Sequence, residues 1–254
     1  MEKRIVLHCA AFAAPYAGNF IRSLCALEEK LLCLGIKMAY VFLSNAKSQP
    51  WWEDFALSHL VYCTECDSEV DRGKELAVII RELDPAIIHT HFEGYDVPVA
   101  MAVKSCHSSA RIVWHMHDVL SYHQNPLKRF YQYFCFFRHY SYYGNGVFAI
   151  GVSKQILDFT SKYRRLLCGK FRKAEVIPNG VDLSRITIND SYQVHKPFTF
   201  LVYGGRNIQK RFDLVVNAAS KLAKDYSFNI NEIIDFDTQI DLKSDVPYKI
   251  LKES

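Results

Sequence analysis

Along residues 4–222, short uninterrupted apolar runs alternate with segments whose apolar side chains recur every three or four residues. Phe20, Ile21, Leu24, Leu27, Leu31 and Leu32 have helical spacing, with Asn19 placed to cap the start and Gly35 to end the last turn. Before this helix, Arg4 to Cys9 reads as a buried strand, and after it Met38 to Leu43 reads as a second. The alternation continues with a helix over Glu75 to Leu83, a strand at Ala86 to Thr90, a helix around Val97 to Val103 and a strand at Arg111 to His115. An aromatic helix near Leu127 to Tyr143, a strand at Val147 to Val152, a helix from Ser153 and a strand at Ala174 to Ile177 follow. Beyond a polar linker between Thr187 and Lys196 come a strand at Phe198 to Tyr203 and a helix at Asp213 to Leu222.

Continuous apolar strands separated by helices predict an α/β fold, a Rossmann-like parallel sheet with helices on both faces. The expected organisation is one such domain over residues 1–190 and a second, incomplete α/β unit over 196–254. After Lys224 the pattern breaks into short apolar clusters, which predicts an irregular tail.

The chain has 254 residues, half of them hydrophobic and 23% charged, which excludes a disordered or collagen-like protein. A net charge of +4 permits contact with phosphates or an anionic membrane surface, and nothing favours nucleic acid. The eight cysteines lie among apolar neighbours, the pattern of reduced thiols, with Cys63 and Cys66 the sole CxxC and no second pair at zinc-finger spacing. Lys3 and Arg4 ahead of Ile5 to Ala14 imitate a signal peptide, but His8 fits that apolar stretch badly and a buried strand fits it better. No uncharged apolar run reaches the ~18 residues needed to cross a bilayer, so a cytoplasmic or membrane-peripheral protein is expected.

In a parallel sheet ligands gather at the carboxyl ends of the strands, so the residues just after each strand carry the candidate chemistry. Gly18 and Asn19 stand where a helix begins, and its free N–H groups suit an anion such as a diphosphate; a plain tight turn is the competing reading. Two strands end in H-x-H, His89-Thr-His91 and His115-Met-His117, the latter followed by Asp118. Residues two apart share a strand face, so a metal site of hydrolase type is one reading. The other turns His89 and His115 to the interior and leaves His91 and His117 at the cleft. The segment LKRFYQYFCFFRHYSYY, with Lys128, Arg129, Arg138 and His139, would suit an anionic membrane surface, core packing or an acceptor groove. Gly205, Arg206, Lys210 and Arg211 lie on a loop between strand and helix, where cations suit a departing phosphate.

The segments APYAGNFIRSLCALEEKL, DPAIIHTHF, RIVWHMHD, AIGVSKQI, VIPNGVDLSRI and FLVYGGRNIQKRFDLVVNAASKL resemble, in order and spacing, those of glycosyltransferase family 4 proteins of GT-B fold. The resemblance implies a retaining transferase that takes a nucleotide-diphosphate sugar, needs no bound metal or other cofactor, and pairs an acceptor-side N-terminal domain with a donor-side C-terminal domain. It implies that His117 lies near the sugar, that Gly18, Asn19 and Gly205 bind the donor, and that Lys210 and Arg206 hold its diphosphate. His91 and Glu93 are expected on the acceptor side, and no residue is assigned to a metal. Arg206 and Lys210 lie one residue closer together than in the common form, and no counterpart of the family's E-x7-E segment follows Lys224.

The expected function is therefore sugar transfer in polysaccharide, lipopolysaccharide or glycolipid synthesis, onto a glycan or lipid-linked acceptor, by a truncated chain with little or no activity alone. A non-catalytic acceptor-domain remnant, or the partner of a separately encoded donor domain, is the alternative. A metal-dependent hydrolase built on the H-x-H pairs is a lesser one.

Overall fold

The computed structural model describes residues 4–118, 125–158, 160, 171–181, 183, 198–203, 212–222, 228–234 and 248–252. The chain divides into two compact units, Met1–Arg185 and Ile186–Ser254.

The first unit is built on seven strands: β1 (Ile5–Ala10), β2 (Lys37–Leu43), β3 (Val61–Thr64), β4 (Ile87–His91), β5 (Arg111–Met116), β6 (Phe148–Gly151) and β7 (Lys173–Val176). They pair in parallel in the order β3-β2-β1-β4-β5-β6-β7. This is the doubly wound order, and its topological switch point lies between β1 and β4. The helices are α1 (Gly18–Leu32), α2 (Trp52–Ser58), α3 (Glu69–Leu83), α4 (Asp96–Ser105), α5 (Pro126–Tyr143) and α6, described over 154–158.

Alternation along the strands builds a core on each face of the sheet. Leu7 and Cys9 of β1, Ala39 and Val41 of β2 and Ile88 of β4 meet Leu76, Ile80, Val99 and Ala102 of α3 and α4. On the opposite face Ala10, Tyr40 and Phe42 meet Ile21 and Leu24 of α1 and Phe55 of α2. His8 falls on this second face, because it pairs in register with Tyr40.

Ser68 caps α3 by accepting from the Asp71 N–H, so the helix begins six residues before the apolar period that starts at Glu75 becomes evident. Asn19 does not cap α1: the helix starts at Gly18, and Ala17 occupies the capping position with helical angles and no side-chain cap hydrogen bond. Gly35 follows the helix with φ +70°, as its lack of a Cβ allows. Sequence periodicity passed over α2 and β3, which are only seven and four residues long.

The second unit holds β8 (Phe198–Tyr203), α7 (Phe212–Leu222), β9 (Phe228–Ile234) and β10 (Tyr248–Lys252), with the strands parallel in the order β10-β9-β8. The irregular tail expected after Lys224 is thus corrected: β9 and β10 are strands. Asn229, Asn231 and Glu232 interrupt the apolar run of β9, and β10 is only five residues long, so cross-strand pairing rather than a local pattern defines them. The linker expected at 187–196 lies outside the described residues. Among the described residues no helix is long and apolar enough to cross a membrane.

Candidate functional site at the carboxyl ends of β1, β4 and β5

Five histidines line one face of the sheet at its switch point. Register pairs His8 of β1 with His89 of β4, and His91 of β4 with His115 of β5. Since residues two apart share a face, His8, His89, His91, His115 and His117 all project to the side that carries α1. The rings of His89 and His91 lie 4.3 Å apart, as do those of His115 and His117, and His89 stacks on His115 at 5.3 Å. His89 and His115 are thus packed among the other imidazoles, and His89 Nε2 and both ring nitrogens of His115 are buried with no hydrogen-bond partner among the described residues.

The imidazoles are linked in a line. His8 Nδ1 lies 3.0 Å from His91 Nε2, and His91 Nδ1 lies 3.2 Å from His117 Nε2. His91 is buried, with one ring nitrogen within hydrogen-bond distance of His8 and the other within hydrogen-bond distance of His117. Phe20 packs edge-on to His91 and His117, and Phe92 stacks on His117 at 4.5 Å. This apolar shell explains the ring basicities. Burial, followed by the nearby His115, lowers His8 to about 3; burial, then His117 and His89, lowers His115 to about 3. Burial lowers His117 to about 4 against an opposing hydrogen bond with the Asn179 side chain, and His89 and His91 fall well below the usual value for the same first reason. The array is neutral at physiological pH.

The loops around it are tightly fitted. Phe92 adopts φ +66°, an uncommon conformation for a bulky residue and one found at functional sites. A Cβ on Gly94 would come within 2.8 Å of the Ala11 Cβ, so the loops after β1 and β4 touch. Arg72 of α3 holds the second loop, donating from Nη1 to the Gly94 carbonyl at 2.8 Å and from Nη2 to that of Asp67 at 3.2 Å. Tyr95 is buried beneath it, sharing a 2.6 Å hydrogen bond with Thr64 of β3. Glu93 stands on this loop, its carboxyl raised by partial burial first and by the charges of Asp118 and Glu69 after that. Gly18 opens α1 at φ +54°, where a side chain would be strained and would crowd Tyr16.

Sequence reasoning missed His8, Asn179 and Arg72. The signal for His8 was present, since a histidine inside a continuous apolar strand must find partners; Asn179 follows β7 as the other site residues follow their strands. Gly205, Arg206 and Lys210 lie outside the described residues. A groove of about 720 Å³ lies elsewhere, lined by Lys104, Arg111, Tyr142 and Arg172 at the amino ends of β5 and β7, away from the edge where ligands of such sheets bind.

Residues 68–185, from the cap of α3 through β4, β5, α5 and β7, match the family described as Glycosyltransferase Family 4. The likeness to this family covers one segment of the first unit. This segment contains both H-x-H strand ends, Glu93, Asn179 and Arg72. The chain is similar in fold to a glycosyltransferase of Rickettsia africae (TM-score 0.56, 17% identity, 92% of this chain and 61% of that one). It is also similar to Anabaena Alr3699/HepE in complex with UDP and glucose (TM-score 0.60, 13% identity, 91% and 60%). A third similar structure is the lipopolysaccharide outer core galactosyltransferase WaaB (TM-score 0.58, 11% identity, 90% and 60%). The chain thus spans about 60% of the length of these structures. No curated protein matches the sequence. The fold is the α/β fold of GT-B glycosyltransferases.

Proposed function

We propose that the chain belongs to a retaining glycosyltransferase that moves a sugar from a nucleotide diphosphate onto a glycan or lipid-linked acceptor in polysaccharide, lipopolysaccharide or glycolipid synthesis. The observation that carries this reading is the placement of His117. It stands just past the carboxyl end of β5, neutral, with His91 on one side and Asn179 on another, near the start of α1. A neutral imidazole fixed in this way can exchange hydrogen bonds with sugar hydroxyls without the cost of losing a charge. The Anabaena relative, crystallised with UDP and glucose, supports a nucleotide sugar as the ligand class.

In this reading Gly18 and Asn19 offer backbone N–H groups and the positive end of the α1 dipole to the donor diphosphate. Lys210 and Arg206 neutralise the departing nucleotide diphosphate and Gly205 lets the backbone approach it, as the family resemblance implies. Glu93 faces the acceptor. The metal-dependent hydrolase has no support from the fold comparisons, whereas the transferase does.

Contact with an anionic membrane, at its cytoplasmic face, belongs to the same proposal. Leu127, Phe130, Tyr131 and Phe134 form an exposed stripe at helical spacing on α5, and Lys128 and Arg129 stand exposed beside it. Aromatic rings with flanking cations suit the headgroup layer.

A thermal-shift titration of the purified chain with UDP, UDP-glucose and GDP-mannose tests the reading. A ligand at a hundred times its Kd adds about 2.7 kcal/mol of stability. A concentration-dependent rise that shrinks in His117→Ala supports the proposal. No rise with any of the three, together with no nucleotide release in the presence of vesicles and glycan acceptors, overturns it.

A further inference from the structure

We propose that His91, His115 and His117 form a site for one divalent transition-metal ion of the class that imidazole prefers, such as Zn²⁺ or Co²⁺. The strands build it. His115 and His117 share a face of β5 with rings 4.3 Å apart, and His91 is the register partner of His115 on β4. One ring nitrogen from each lies within 4.8 Å of the others. The closest pair, His91 Nδ1 and His117 Nε2, is separated by 3.2 Å. Tetrahedral ligands at a Zn–N distance of ~2.0–2.1 Å stand ~3.3 Å from one another, so this edge needs almost no adjustment.

A second observation points the same way. Both ring nitrogens of His115 are buried without a hydrogen-bond partner among the described residues. A buried imidazole with two unsatisfied nitrogens is costly, and a metal ion would engage the lone pair of the unprotonated one. The donor set also selects the ion: three neutral imidazoles are poor ligands for Mg²⁺ or Ca²⁺, which prefer oxygen, and good ones for Zn²⁺, Co²⁺, Ni²⁺ or Cu²⁺. Three histidines leave the fourth position open, as in catalytic rather than closed structural zinc sites.

His8 completes the arrangement from behind. With His91 Nδ1 on the ion, its Nε2 carries the proton and donates to His8 Nδ1 at 3.0 Å, which fixes both tautomer and ring orientation. Phe20 and Phe92 exclude water from the ligands. The negative charge of Glu93 and Asp118, which follow two of the ligands, offsets part of the ion's charge.

The site is independent of the transferase reading and does not require it. Should both hold, the ion would engage the ring nitrogen that His117 otherwise shares with His91 and would alter its presentation to a sugar. Metal titration reads the site with neither donor nor acceptor present, so failure here leaves the transferase reading standing.

The test uses the full chain freed of metal by chelation and titrated with Co²⁺. One equivalent should develop the visible bands of tetrahedral Co²⁺ and be displaced by Zn²⁺. His115→Phe and His117→Gln should abolish the bands, and His8→Phe should weaken affinity by about ten- to a hundredfold. His89→Gln should retain them, because His89 belongs only to the deeper group with His8 and His91. Far-UV circular dichroism and melting temperature show whether each variant folds, and a Zn²⁺-dependent rise in the wild-type melting temperature reads the site without any substitution. The proposal fails if the wild type neither shows saturable bands nor gains stability with Zn²⁺. It fails equally if folded His117→Gln binds as well as wild type, or if His89→Gln rather than His117→Gln removes binding.

Discussion

His91 Nδ1 lies 3.2 Å from His117 Nε2, joining β4 to β5 at the edge of the sheet where ligands bind. Because the other nitrogen of His91 meets His8, the orientation of His117 is fixed by two residues that a substrate does not reach. Replacing His117 with alanine should therefore remove a contact without collapsing the core, since His117 is only half-buried. With a nucleotide sugar that the chain turns over, His117→Ala should lower kcat by about a hundredfold or more, with a melting temperature close to wild type. An unchanged kcat would remove His117 from the sugar-facing role.

Acid should unfold the metal-free protein early. The five imidazoles are held below their unfolded value of 6.5, with His8 and His115 at about 3 and His117 at about 4. The unfolded chain therefore binds more protons than the folded one wherever pH lies below ~6.5, and stability rises with pH in that range. The stabilisation is complete above 6.5 and is lost progressively as pH falls toward 4. Urea unfolding in the presence of a chelator, at steps from pH 7.5 to pH 4.5, should show this slope. A flat profile would mean that the rings titrate as if exposed.

Much of the first unit could be read from sequence because its central strands are largely buried, and β2 writes itself as an unbroken apolar run from Met38 to Leu43. The short elements α2 and β3 escaped because neither carries a full period, and β9 escaped because Asn229, Asn231 and Glu232 interrupt it. The H-x-H pairs were visible, whereas their union with His8 was not: it depends on the register of β1 against β4, and residues 8 and 89 meet only through the sheet. Asn179 was legible as a residue following a strand, but its approach to His117 joins positions more than sixty apart in the chain.

Gly94 should tolerate no side chain while Ala11 stands opposite. A Cβ there would sit 2.8 Å from the Ala11 Cβ, and neither atom belongs to a flexible side chain that can swing aside. Gly94→Ala should cost about 1–3 kcal/mol, the usual penalty for overpacking. Ala11→Gly in the same chain should restore much of that loss. Equal stability of the single and double variants in denaturant titrations would show that the two loops do not press on each other.

Thiol reactivity should separate Cys33 from Cys9. Cys33 is exposed just beyond α1, whereas Cys9 is fully buried in β1 and burial raises its thiol far above the usual value. The thiolate is the reactive species, so Cys9 lacks both access and ionisation. Brief iodoacetamide treatment of the native protein, read by peptide mass spectrometry, should modify Cys33 and spare Cys9 until denaturant is added. Early labelling of Cys9 would contradict the placement of β1 inside the sheet.

Arg72 supports the loop after β4 from α3, and its loss should be felt at Glu93. Its guanidinium donates to the carbonyls of Gly94 and Asp67 and lies over the Tyr95 ring at 5.6 Å. Arg72→Met keeps most of the buried stem and deletes the donors, so it should cost about 1.5–3 kcal/mol, the range for hydrogen bonds to charged groups. Arg72→Lys should recover little, because one ammonium cannot reproduce the planar fork that spans two carbonyls. Hydrogen exchange read by mass spectrometry should show faster exchange over residues 92–96 in both variants, with α1 unchanged. Since Glu93 stands on that loop, KM for a glycan acceptor should rise while the affinity for nucleotide sugar holds. A rise in donor Kd of the same size would mean that Arg72 supports the whole strand edge rather than this loop.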